Sequence, residues 1–211
     1  MESGAPRRVF PAVSWRYRVL AIVATIIVSL DQITKHKMVS FFGGIEGGRK
    51  VVVPGFFDLV LAHNPGAAWS VFADLKPDIL RVAMFVAISV GASIVVILFA
   101  HRARPEQKLL VWSLALILGG AIGNLVDRVL AGTVVDFLEF YSRAGWMVHA
   151  LKCNASWGCR FPAFNVADSA ITVGTTLLIL SSMLPSAKPP APPAPPAVDP
   201  APPVADPNLL S

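Results

Sequence analysis

Asp136 and Asp168 lie where apolar stretches meet loops, within Val134-Val135-Asp136-Phe137 and Asn165-Val166-Ala167-Asp168-Ser169. A carboxylate at the edge of a membrane-length apolar segment costs free energy to hold there and usually serves a function. Two such groups, brought together by neighbouring helices, can share one proton: one acts as base toward a water, the other as acid toward a carbonyl oxygen. Each also has a plainer reading. Asp168 is placed to be a helix-start charge near the positive end of a helix dipole, and Asp136 to be a solvated loop residue. Asn165, three residues before Asp168, is expected on the same face of one helical turn. Asp31 and Lys35, four apart and opposite in sign, share a face of a first helix and read as an intramembrane ion pair. Gly120, Asn124, Asp127 and Arg128 are expected on one side of a third helix, with Asn124 deep enough to need an interhelical partner.

Helices that span a bilayer must position these groups. The chain of 211 residues is 55% hydrophobic and only 15% charged, with a mean hydropathy of +0.63, and a soluble domain needs a more polar surface than that. Val82–Ala100, Leu109–Val126 and Ser169–Ala187 carry no Asp, Glu, Lys, Arg or His, and each is close to the ~20 residues that cross the hydrocarbon core. Val19–Leu30 is shorter before Asp31 interrupts it. Four basic residues precede it, as in a secretory signal, but it runs on into Asp31-Gln32-Ile33-Thr34-Lys35 without a small-residue cleavage site, so a retained first helix is expected. The reading is a membrane all-α fold: four transmembrane helices at about 17–39, 80–100, 108–130 and 165–184, with a small extracytoplasmic β platform and an interfacial helix. Arg7, Arg8, Arg16 and Arg18 before the first span, and Arg102, Arg104 and Lys108 between the second and third, put both termini in the cytoplasm.

The outward loops are then 40–77 and 131–163. In the first, Lys50–Leu61 is β-branched and aromatic around Pro54-Gly55, which reads as short strands about a turn, and Trp69 and Phe72 suit the headgroup level. In the second, Cys153 and Cys159 either close a small disulfide ring in an oxidising compartment or remain two thiols; with His149 the one nearby histidine, zinc is disfavoured. Gly91-Ala92-Ser93 on the second helix reads as a close-packing site. Residues 1–15 read as a disordered cytoplasmic arm, 16–184 as the membrane domain, and the proline-rich 185–211 as a disordered cytoplasmic tail. A basic folded surface with interleaved aromatics is absent from the sequence, which argues against nucleic acid as a partner.

Five blocks, Asp31-Gln32-Ile33-Thr34-Lys35, Asn64–Phe72, Gly119–Arg128, Val134–Phe137 and Phe161–Ser169, resemble in order and hydropathic setting the signature blocks of the lipoprotein signal peptidase (signal peptidase II) family. The resemblance covers about residues 17–184. It implies an aspartyl endopeptidase of the bacterial inner membrane, with its site toward the outer face. Such an enzyme removes the signal peptide of a diacylglyceryl-modified prolipoprotein just before the lipidated cysteine. It also implies Asp136 and Asp168 as the catalytic pair. Asn64, Gly120, Asn124, Arg128 and Asn165 match positions that line the site or hold the pair and the substrate, and Asp31 and Lys35 match a supporting polar pair. No metal or cofactor is expected; the partners are the precursor and membrane lipid, and a monomer is expected.

Two features depart from the family's pattern: a longer connection between the aspartates, with the excess at about 141–161, and the proline-rich tail. A proton or ion relay through Asp31, Lys35 and Asp127 is the principal competing reading, but the second helix is wholly apolar and the carboxylates gather at the outward ends. Gly-x-Gly-Asp, His-Glu-x-x-His and Gly-x-Ser-x-Gly are all missing from the chain.

Overall fold

A 27-residue apolar helix, α1 (Trp15–Phe41), opens the computed structural model, which describes residues 14–66, 78–145 and 158–183 together with His149, Leu151 and Cys153. At 1.5 Å per residue it is about 40 Å long, enough to span a bilayer. It is followed by β1 (Arg49–Val53), β2 (Phe57–Asn64), α2 (Asp78–Arg102), α3 (Lys108–Ala131), β3 (Val134–Ser142), β4 (Cys159–Arg160) and α4 (Val166–Met183). All four helices are long and apolar enough to cross a membrane. Ile22, Ile26, Ile94, Phe99, Val173 and Leu180 stay exposed on the protein, as expected where the solvent is lipid.

α3 is the central helix: more than half of it is buried, whereas most of each other span is not. Its glycines explain why. A Cβ on Gly119 would stand 2.8 Å from Ile27 of α1, and one on Gly120 would stand 2.4 Å from the carbonyl oxygen of Ala167 in α4. Missing side chains at this pair let two neighbours approach different flanks of α3. Leu20, Ala24, Val96, Ala100, Val111, Leu114, Ala115 and Leu118 close the apolar core toward the end that carries the α2–α3 turn. The small residues of α2 do not pack as expected. Gly91 and Ala92 are exposed, and a Cβ on Gly91 would meet nothing within 4 Å. The α2 residues in the core cluster are Val96 and Ala100, one to two turns further along.

α3 ends at Gly132, whose φ of 72° favours glycine and whose N–H donates to Arg128 O at 3.1 Å. The chain reverses there into β3. The four strands form one antiparallel sheet in the order β1-β2-β3-β4. The platform is therefore larger than expected from 40–77: Val134–Ser142 of the second outward loop supplies its third strand, with Val134, Asp136, Phe137, Glu139 and Tyr141 buried. Nor is Asp136 a solvated loop residue; it is 3% exposed. An irregularity in β2 between Leu59 and Ala62 shifts the register, so that Ala62 faces Asp136 and Asn64 faces Val134. Cys153 and Cys159 are joined in a disulfide. The expected interfacial helix with Trp69 and Phe72, nearly all of the arm at 1–15, and the tail at 185–211 lie outside the described residues.

Candidate active site

Asn165 is the hinge of the site. Phe164 exchanges backbone hydrogen bonds with Leu138 of β3, each 2.9 Å, so the residue that follows emerges beside Asp136. There Asn165 starts α4 reciprocally: its Oδ1 accepts the Asp168 N–H at 2.9 Å, and Asp168 Oδ2 accepts the Asn165 N–H at 3.3 Å. This is a capping box built with Asn and Asp. The side-chain amide of the same, fully buried Asn165 donates to Asp136 Oδ1 at 2.8 Å and to Asn124 Oδ1 at 3.2 Å. One side chain thus touches both aspartates.

Asp136 accepts a second hydrogen bond from Asn64 Nδ2 at 3.0 Å. Asn64 is held by an Asx turn in which its Oδ1 accepts the N–H of Gly66, a residue at φ 107°. Asp168 Oδ1 accepts from Asn124 Nδ2 at 2.7 Å, and Asn124 Oδ1 in turn accepts from Lys35 Nζ at 3.1 Å. Lys35 also pairs with Asp31 and with Asp127, each at 2.7 Å. The expected pair on α1 is thus part of a buried triad. Asp31 Oδ1 accepts the Ala167 N–H at 2.9 Å, tying α1 to the first turn of α4, and Gln32 donates to Asp127 Oδ1 at 2.8 Å. Asp127 therefore turns toward α1, away from the cavity that Arg128 lines, so the expected common side for Gly120, Asn124, Asp127 and Arg128 splits at its outer end.

Asp136 and Asp168 both line a cavity of about 650 Å³, together with Asn64, Arg128, Phe85 and the Phe161–Phe164 segment. Thr172 and Val173 of α4 extend its wall. The Arg128 guanidinium sits 5.2 Å from the Phe85 ring centroid and donates to Asn124 O at 3.2 Å. Burial, reinforced by the negative charge of Asp168, pushes the Asp136 carboxyl up to about 7, against the opposing hydrogen bonds of Asn64 and Asn165 and the charge of Lys35. A protonated Asp136 and a second carboxyl in the same cavity are the two kinds of group that general acid–base chemistry needs. Among the described residues no three His, Cys, Asp or Glu side chains converge as a metal-ligand set.

Sequence reasoning missed Phe85, Ser169, Thr172 and Val173 as cavity residues. A Phe in an apolar helix carries no signal of its own, whereas Thr172, one turn beyond Asp168, could have been read from helical spacing.

Residues 23–184 match the family model described as signal peptidase (SPase) II. The lipoprotein signal peptidase of Syntrophotalea carbinolica is 40% identical over 166 residues, covering 79% of this chain and 91% of the relative. That of Cupriavidus necator is 44% identical over 160 residues, covering 76% and 80%. A solved bacterial membrane enzyme, determined by the in meso method at 1.9 Å resolution, superposes with a TM-score of 0.62 at 28% identity, covering 79% of this chain and 93% of the other.

Proposed function

The chain belongs to the signal peptidase II family, and from that premise we propose that it is a membrane aspartyl endopeptidase. It removes the signal peptide from diacylglyceryl-modified prolipoproteins, cutting just before the lipidated cysteine. The observation that carries this reading is the convergence of Asp136 and Asp168 on one cavity, joined through the amide of Asn165.

Ionised Asp168 takes a proton from a water lying between the carboxyls as that water attacks the scissile carbonyl carbon. Protonated Asp136 gives its proton to the carbonyl oxygen, so the tetrahedral intermediate forms without a free oxyanion. Asp168 then returns its proton to the departing amide nitrogen, the C–N bond breaks, and the new carboxylic acid restores the proton to Asp136. Asn64 and Asn165 hold Asp136, Asn124 and the helix cap hold Asp168, and Arg128 donates to substrate carbonyls. Gly120 lets α4 approach, and Asp31 and Lys35 support the site. Phe85, Phe161 and Val173 offer apolar surface to the acyl chains.

The membrane domain is 16–184, with the arm at 1–15 and the tail at 185–211 in the cytoplasm. It sits as a monomer in the bacterial inner membrane, site outward, as the arginines that flank the spans direct. The test is cleavage of a diacylglyceryl-modified prolipoprotein in liposomes by wild type, Asp136→Asn and Asp168→Asn. Wild type cleaves and both variants fall to background while remaining folded; turnover surviving in either variant defeats the two-carboxyl mechanism.

A further inference from the structure

The seven residues that lead into α4 are held more firmly than an aspartate pair alone requires. Cys159 and Arg160, as β4, pair with Ser142 and Tyr141 at the far end of β3, and Cys159 is bridged to Cys153 with a Cα–Cα separation of 5.1 Å. Arg160 donates to Asp58 Oδ2 at 3.2 Å and to Glu139 Oε2, and its guanidinium lies 4.6 Å from the Tyr141 ring centroid. Asp58 is 1% exposed, and Arg49 contacts the same oxygens of both acids. One guanidinium nitrogen thus bridges two strands while the guanidinium carbon lies over the ring of a third residue.

From Arg160 the chain returns along β3: the Phe161 N–H donates to Phe140 O at 2.8 Å and the Phe164 N–H to Leu138 O at 2.9 Å. Phe161-Pro162-Ala163-Phe164 is one wall of the cavity, and Asn165 caps α4 directly after it. The strap 159–165 is therefore fixed at one end by the helix cap beside Asp168 and at the other by Arg160 and the disulfide.

We infer that Arg160 is a positioning residue for the Phe161–Phe164 wall and that the Cys153–Cys159 disulfide is its redox-sensitive anchor, so that reduction weakens substrate binding and spares the chemistry. This rests on the peptidase reading above. A dithiol supplies two electrons and two protons; the Sγ–Sγ bond breaks, two thiols form, and the dithiol closes its own disulfide. The fold survives, because a disulfide stabilises less the shorter the loop it closes, and this loop spans six residues. The cap at Asn165 keeps Asp168 in place, whereas the distal end of the wall is left to Arg160 without the disulfide.

The test uses the full chain in liposomes with a diacylglyceryl-modified prolipoprotein, measuring kcat and KM before and after dithiothreitol. Reduction of wild type raises KM about three- to tenfold with kcat held within about twofold, the signature of lost ground-state binding. Cys153→Ser/Cys159→Ser shows the raised KM without reductant and does not respond to it, and Arg160→Met, which removes the cation that bridges Asp58 and Glu139, raises KM with the disulfide intact. Unchanged KM on reduction, a fall in kcat alone, or a reductant response in the double variant overturns the inference. Amide hydrogen exchange at Phe161 and Phe164, followed without substrate, separates the two readings. If oxidised wild type cleaves nothing, the peptidase reading fails, and exchange that is no faster after reduction overturns the strap on its own.

Discussion

Replacing Asp136 by Asn should make the protein more stable at neutral pH while abolishing cleavage, and the gain should depend on pH in a defined direction. The Asp136 carboxyl ordinarily titrates near 3.8 and is pushed to about 7 in the fold, chiefly by burial and then by the charge of Asp168. Between those values the folded chain binds a proton that the unfolded chain has released, so stability falls as pH rises through that window. At 1.36 kcal/mol for each pH unit, the fold loses at most about 4 kcal/mol by pH 8. Asn is nearly isosteric with the protonated acid, but its NH₂ only donates, so it meets the amide donor of Asn64 or Asn165 without accepting from it. The folded variant therefore lacks the wild type's titration and also one of its two hydrogen bonds, at a cost of about 1–3 kcal/mol that does not vary with pH. At pH 4 the variant should therefore be the less stable, and by pH 8 the difference should have moved in its favour by an amount approaching about 4 kcal/mol, which leaves it ahead. Equilibrium unfolding in mixed micelles, repeated across this range, measures the difference directly. A difference independent of pH, or a wild type more stable than the variant at pH 8, refutes the burial argument for Asp136.

Three further outcomes follow from the same geometry. The kcat/KM of wild type should fall as pH rises above about 7, because Asp136 loses the proton that the carbonyl oxygen needs; a rate still climbing from pH 7 to 9 contradicts this. Gly120→Ala puts a methyl 2.4 Å from the Ala167 carbonyl oxygen. It should lower stability by about 1–3 kcal/mol and, by displacing Asp168 one residue further on, cut turnover by about a hundredfold. Gly91→Ala, built into open space, is the control expected to change neither. Lys35→Met leaves Asp31 and Asp127 buried without their shared cation and should destabilise by about 3–5 kcal/mol; adding Asp31→Asn and Asp127→Asn should restore most of that in thermal unfolding.

The four spans were legible because the bilayer imposes a length and a polarity that few other settings demand, and the observed helices begin and end within a few residues of the charge-free runs. The Pro54-Gly55 hairpin was legible for a local reason, β-branched residues on both sides of a turn. Val134–Ser142 was not. Its alternation is masked by Asp136 and Glu139, which are polar and yet buried, one by the amides of Asn64 and Asn165 and the other by Arg49 and Arg160. Those partners lie 21 to 90 residues away, and no local pattern encodes such distances. Gly91 failed in the opposite way: a small residue on an apolar helix signals close packing only when a neighbour approaches, and on α2 none does at that level.

The charge count around α3 explains why a proton should reside on Asp136. Among the described residues, Asp31, Asp127, Asp136 and Asp168 are set against Lys35 and Arg128, so with every group ionised the cluster carries two uncompensated negative charges. Asp31 and Asp127 each contact Lys35 at 2.7 Å. Asp168, only half-buried, has the Asn124 amide at 2.7 Å and a place at the positive end of α4. Asp136 sits in a strand without a helix dipole and is 3% exposed, with neutral amides as its hydrogen-bond donors among the described contacts. Its burial therefore works against its ionised form. Links from Asp31 to Ala167, from Lys35 to Asn124 and from Asn165 to Asp136 join α1, α3, α4 and β3, so Lys35 and Asn165, which temper the rise in the Asp136 titration, also fix the helices around it. A substitution in this chain is therefore expected to shift the titration of Asp136 and the stability of the fold together, with the pH dependence of the first reporting on the second.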